Sequence, residues 1–172
     1  MQKTFPDVRL DLVGGGPLEG EIRNLVRKMK LSGVDFKGVA AHSEIARFYD
    51  DADIFINASR LDNMPVSVLE GFASGTPVVS TEPEGMRYVV EHGRTGLLSA
   101  PGDASALAQN VIRVLQDPEL VERLVSNARR EIERYSWPVV REQWLEVYRA
   151  LAAGEMKAAR EFASSGVESS EN

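Results

Sequence analysis

Short apolar runs alternate along the chain with longer stretches whose apolar residues recur every three or four positions. Residues 8–13 (VRLDLV) predict a strand, ended by Gly14, Gly15, Gly16 and Pro17. Residues 18–30 place Leu18, Ile22, Leu25, Val26 and Met29 on one helical stripe. A second strand is predicted at 34–37, stopped by Gly38, and Ser43 is placed to cap a helix running through Tyr49. IFIN at 54–57 and PVVS at 77–80 read as the third and fourth strands. A helix between them begins near Pro65 and stops at Gly75, and residues 96–98 suit an edge strand. Helical patterns then fill 104–116, 118–135 and 138–153. The last has Val140, Trp144, Val147, Tyr148 and Leu151 on one face, and Trp137 and Trp144 are expected in the core.

Strands alternating with helices predict an α/β fold, with a parallel sheet covered on both faces. One domain is expected over 1–153. From Gly154 the sequence turns polar and serine-rich, which predicts a disordered tail over 154–172. At 172 residues and 43% apolar, the chain is long enough for one ordinary core. Its formal charge of −6, with both signs interleaved, offers no footprint for nucleic acid. With no cysteine, disulfides, thiolate metal sites and thiol nucleophiles are excluded. The amino-terminal stretch has no signal-like apolar core and no run reaches membrane-spanning length, so a cytoplasmic location is the default expectation.

The chemistry concentrates in 59–79, SRLDNMPVSVLEGFASGTPVV. A buried-type strand ends at Asn57, a polar loop carries Arg60, Asp62 and Asn63, and Pro65 opens a helix. The amides of Val66, Ser67 and Val68 are donors that a helix leaves without intrahelical acceptors. They lie at the positive end of its dipole, beyond the carboxyl end of a parallel strand. That arrangement suits a phosphate. Glu70 shares a helix face with Val66, and its side chain leans toward the amino-terminal tip, where a ribose diol would meet it. The same pattern also fits a plain helix start, capped by Asp62 or Asn63, with Glu70 a solvated surface residue.

The series from Asp62 through Pro65 to Leu69 and Glu70, followed by small residues and Gly75-Thr76-Pro77-Val78-Val79, resembles the Glu-x7-Glu region of retaining glycosyltransferases of family 4, which have the GT-B fold. LVGGGP at 12–17, FKGVAAHSEIARFYDDADIFINAS at 36–59, EHGRTGLL at 91–98, the segment 101–120 and YSW at 135–137 agree in order and spacing. The resemblance covers about Val8 to Ala150. It implies a Rossmann-like, three-layer parallel sheet forming the C-terminal half of a GT-B glycosyltransferase, with the first strand missing. It also implies a hexosyltransferase-type enzyme that transfers sugar from a nucleotide diphosphate sugar with retention. By that resemblance Glu70 holds the donor ribose. The amides of Val66, Ser67 and Val68 hold the diphosphate, with Met64 and Arg60 beside them. Asp62 contacts the transferred sugar and stabilises positive charge at the reacting carbon. The base packs near Gly38 and Val39, while Gly14 and Gly16 line the donor floor. A UDP-type donor is expected, with no metal and no cofactor.

Two departures matter. Asp62 stands where the family usually has glutamate, one methylene shorter. The acceptor domain and the strand carrying the diphosphate-neutralising Arg and Lys have no counterpart here, so the isolated chain is expected to be inactive without an N-terminal domain or partner chain. The open inner edges of strands 8–13 and 54–57 predict direct pairing, filling by another segment or an oligomer, or a truncated gene. Peripheral membrane contact is left to the complete enzyme. The alternatives are a non-catalytic nucleotide-sugar-binding module and another GT-B enzyme, such as an epimerase or phosphorylase. The dinucleotide fingerprint fails because Glu19 stands where its third glycine belongs. His42 and His92 lack triad or ligand spacing, and Asp50, Asp51 and Asp53 suit a solvated junction.

Overall fold

A computed structural model describes residues 4–153. The polar tail expected over 154–172 lies outside the described residues. The chain divides into two compact units, Met1–Ala52 and Asp53–Asn172.

In the first unit, β1 (Leu10–Val13) and β2 (Val34–Gly38) pair in parallel from Leu10 against Val34, with a register shift between Leu12 and Val13. Helix α1 (Glu19–Lys28) connects them and α2 (His42–Asp50) follows. The guanidinium of Arg23 on α1 lies 4.0 Å over the Phe36 ring of β2. The expected apolar stripe of α1 is on the surface: Leu18, Ile22, Leu25 and Met29 are exposed, and only Val26 is partly covered. Ser43 does not cap α2. The cap position is Ala41, whose amide is met by the Glu44 carboxylate at 3.4 Å.

In the second unit, β3 (Phe55–Asn57), β4 (Val78–Thr81) and β5 (Leu97–Ser99) form a parallel sheet in that order, with β5 at one edge as expected. Ile56 aligns with Val79, and Val79 with Leu97. Strand alternation sends successive residues to opposite faces. Val78 and Leu98 join Val68 and Phe72 of α3 (Val66–Ser74), while Val79 and Leu97 join Val111 and Val114 of α4 (Ala104–Gln116). The sheet is therefore covered on both faces. Helix α5 (Pro118–Ile132) serves both, through Leu120 and Leu124 on one and Ala128 and Ile132 on the other. Asp103 and Asp117 cap α4 and α5, each accepting an amide at 2.9 Å.

The chain ends its described portion with α6 (Trp137–Ala152). Trp137 and Trp144 are not core residues; their exposures are 68% and 55%, and Trp144 stacks on Tyr148. A helical stripe identifies a face without identifying what covers it.

The parallel strands expected from the sequence are present, distributed between a two-stranded and a three-stranded sheet. Among the described residues, β1 pairs with β2, and β3 with β4. No described helix is long and apolar enough to cross a membrane.

Candidate functional site

The site in the second unit is built where the sheet ends in polar residues. Asn57, Ser80, Thr81 and Ser99 close the three strands and are all buried. Their hydroxyls bond to nearby carbonyls: Ser80 Oγ donates to the Thr81 oxygen at 2.7 Å, and Ser99 Oγ donates to the Ser80 oxygen at 3.4 Å. Burial of these groups is tolerated because each has a partner.

Between β3 and α3 runs the loop 58–65. Pro65 is buried and occupies the cap position, at φ −69° and ψ 113°, one residue ahead of the first helical position expected for it. Gly75 ends α3 at φ 77°, a left-handed conformation that suits glycine. Arg129 of α5 reaches that end and donates to the Ser74 carbonyl at 3.5 Å. With its far end held by a cation, α3 presents its amino-terminal turn beyond the carboxyl end of β3.

Val66 is 65% exposed at that tip, Met64 and Arg60 are exposed, and Asp62, Ser67 and Glu70 are half-buried. Glu70 lies four residues, about 6 Å of helix rise, beyond Val66 on the same side. Val68 corrects the expectation of three available amides. Its N–H already donates to the Pro65 carbonyl at 3.0 Å, and its side chain is fully buried against Phe72. A tight first turn supplies that acceptor, so the Val68 amide is engaged within the helix start.

The first unit holds the remaining expected residues. Gly14 sits at φ 125°, which bars a side chain there, and its amide donates to the Gly38 carbonyl at 2.7 Å. Open space surrounds Gly16 where a side chain would project. Val39 is 83% exposed and borders a cavity of about 290 Å³ whose lining includes Lys37, Ala40, Arg47 and Phe48. Lys37 bridges Asp11 at 3.3 Å and Asp35 at 3.5 Å. The Asp11 hydrogen bond, with both carboxylate charges, holds the Lys37 ammonium above its ordinary range.

Sequence reasoning missed the residues that hold the loop 58–65. Asn57 Oδ1 accepts the Ser59 amide at 2.9 Å, and Thr81 Oγ1 donates to the Ser59 carbonyl at 2.6 Å. Gly85 backs Asn63 so closely that a Cβ on it would stand 2.6 Å from the Asn63 carbonyl carbon. The sequence signal was the change from valines to Ser80-Thr81 at the end of a buried run.

A family profile described as glycosyl transferases group 1 matches residues 1–131. A phosphatidyl-myo-inositol mannosyltransferase of Mycobacterium leprae is 32% identical over 161 residues, covering 91% of this chain and 42% of that protein. The sucrose-phosphate synthase of Thermosynechococcus elongatus superposes with a TM-score of 0.76 at 31% identity, over 85% of this chain and 39% of its own. The Anabaena protein Alr3699/HepE, solved in complex with UDP-glucose, gives 0.77 at 25% identity, over 84% and 42%. The chain thus spans about two fifths of these proteins' lengths. Its fold is that of the C-terminal half of a GT-B glycosyltransferase.

Proposed function

We propose a donor-binding role for this chain, which belongs to the glycosyl transferases group 1 family. The second unit receives the diphosphate of a nucleotide sugar at the tip of α3, on the amides of Val66 and Ser67, with Arg60 and Met64 alongside. Glu70 accepts hydrogen bonds from the ribose hydroxyls. Asp62 faces the transferred sugar, where its negative charge stabilises the oxocarbenium-like carbon, and transfer proceeds with retention as in glycosyltransferases of family 4. Within the first unit, Gly14, Gly16, Gly38 and Val39 are the candidates for holding a nucleotide base, which is placed at Val39 and its neighbouring cavity. UDP is the favoured nucleotide, supported by the UDP-glucose complex of the Anabaena relative.

The observation that carries this reading is the disposition of α3. It begins at the carboxyl end of β3, its far end is held by Arg129, Asp62 stands before it and Glu70 one turn inside it. The charge pattern suits a ligand with an anionic centre and hydroxyl-bearing flanks.

The coverage of about two fifths of the relatives' length supports a second reading of the same site. This chain alone binds a donor, and transfer requires acceptor-binding residues from further polypeptide. Titrating the chain with UDP, GDP and ADP, with and without attached sugars, tests both. Binding without sugar transfer or donor hydrolysis is the expected outcome, with affinity lost in Glu70→Ala. Unchanged affinity in that variant would end the ribose assignment.

A further inference from the structure

We propose that Thr81 and Gly85 are positioning residues that clamp the loop 58–65 at two points and so fix Arg60 and Asp62 for the donor. This inference rests on the donor-binding reading above. The first point is chemical. Thr81 is 3% exposed at the end of β4, and its hydroxyl donates to the Ser59 carbonyl at 2.6 Å. Asn57 holds the same residue from the other side by accepting its amide. The loop leaves the sheet with both backbone polar groups of Ser59 engaged.

The second point is steric. Gly85 has φ −76° and ψ −19°, a conformation open to any L-residue, so the backbone does not require glycine there. The space does. An added Cβ would lie 2.6 Å from the Asn63 carbonyl carbon and closer still to its Cα and oxygen, all of them backbone atoms that cannot swing aside. The turn 83–86 is itself anchored, because Met86 is fully buried in the core and its amide donates to the Pro83 carbonyl at 2.8 Å. Pressing on Gly85 therefore moves the loop rather than the turn.

Between the two points lie only Arg60, Leu61 and Asp62. Fixing both ends of so short a segment removes most of its freedom before a ligand arrives, which lowers the ordering cost of binding. It also holds Asp62 to the sub-ångström placement that charge stabilisation needs, since displacement of about 1 Å is enough to cost a hundredfold in rate.

The test uses the full chain and its Thr81→Val, Thr81→Ser and Gly85→Ala variants. Valine keeps the shape of threonine without its hydroxyl, and serine keeps the hydroxyl. Two quantities are measured: the affinity for UDP, and the rate of tryptic cleavage after Arg60 relative to cleavage after Arg129 and Arg130 in α5. Thr81→Val is expected to weaken UDP about tenfold, the scale of one lost hydrogen bond, and Gly85→Ala about tenfold or more by displacing the loop. Both should also accelerate cleavage after Arg60 selectively, while Thr81→Ser stays within about twofold of wild type on both measures. Unchanged cleavage after Arg60 in Thr81→Val and Gly85→Ala would overturn the clamp, as would equal acceleration at all three arginines. If the wild-type chain fails to bind UDP, the donor reading falls, and cleavage after Arg60 still decides the clamp.

Discussion

Arg94 Nη2 donates to Glu131 Oε2 at 2.9 Å, tying the turn ahead of β5 to the last turn of α5. Arg134 reaches the other carboxylate oxygen, and Asn127 Nδ2 donates to the Arg94 carbonyl at 3.0 Å. Burial alone would raise the Glu131 pKa, but hydrogen bonds from Arg94 and Arg134, with their charges, bring it below its ordinary 4.5. A carboxylate depressed in this way contributes stability above the unfolded value and loses it as pH falls through the folded one. Stability should therefore decline as pH drops below 4.5, and Glu131→Gln should remove that part of the decline. At neutral pH the variant is expected to cost about 1–2 kcal/mol in urea unfolding.

Phe72 is fully buried between α3 and the sheet. Truncating it to alanine leaves a cavity directly beneath the site, with an expected cost of about 3–5 kcal/mol by chemical denaturation. Because α3 would lose its seat, UDP binding should weaken along with stability.

Asp117 Oδ1 accepts the Leu120 amide at 2.9 Å and starts α5. Asp117→Ala should cost about 1 kcal/mol, and Asp117→Asn, which keeps the acceptor, only a fraction of that. Thermal unfolding of the two variants side by side measures the difference.

Asp62→Asn separates binding from chemistry. If Asp62 stabilises the reacting carbon as proposed, the change should lower kcat by about a hundredfold, measured with acceptor-binding residues and an acceptor supplied, while leaving UDP affinity within a few-fold. A matched loss of UDP affinity and kcat would show that Asp62 serves the diphosphate instead.

Much of this architecture was legible from residue order. The run IFIN contains β3, PVVS covers all of β4 but its last residue, and Pro65 and Gly75 bracket α3 because one suits a helix entrance and the other a left-handed exit. The cap of α2 was misjudged because Ser43 has the right chemistry, while the chain bends two residues earlier, at Ala41. Val68 was read as an open donor because helix rules leave its amide without an i−4 acceptor. The local turn supplied Pro65 instead. Nor could periodicity reveal that Trp144 and the α1 stripe stay on the surface, since that depends on neighbours rather than spacing. The contact between Gly85 and Asn63 joins positions 22 residues apart in sequence, and no local rule announces it.

Helix α5 places Leu120 and Leu124 under one side of the three-stranded sheet and Ala128 and Ile132 under the other. Peeling it away would lay both sides open to water at once, so neither layer has a private route to unfolding. Amide protons in α3 and α4 should then exchange with deuterium through a shared opening event, and a denaturant that loosens one layer should release the other at the same concentration.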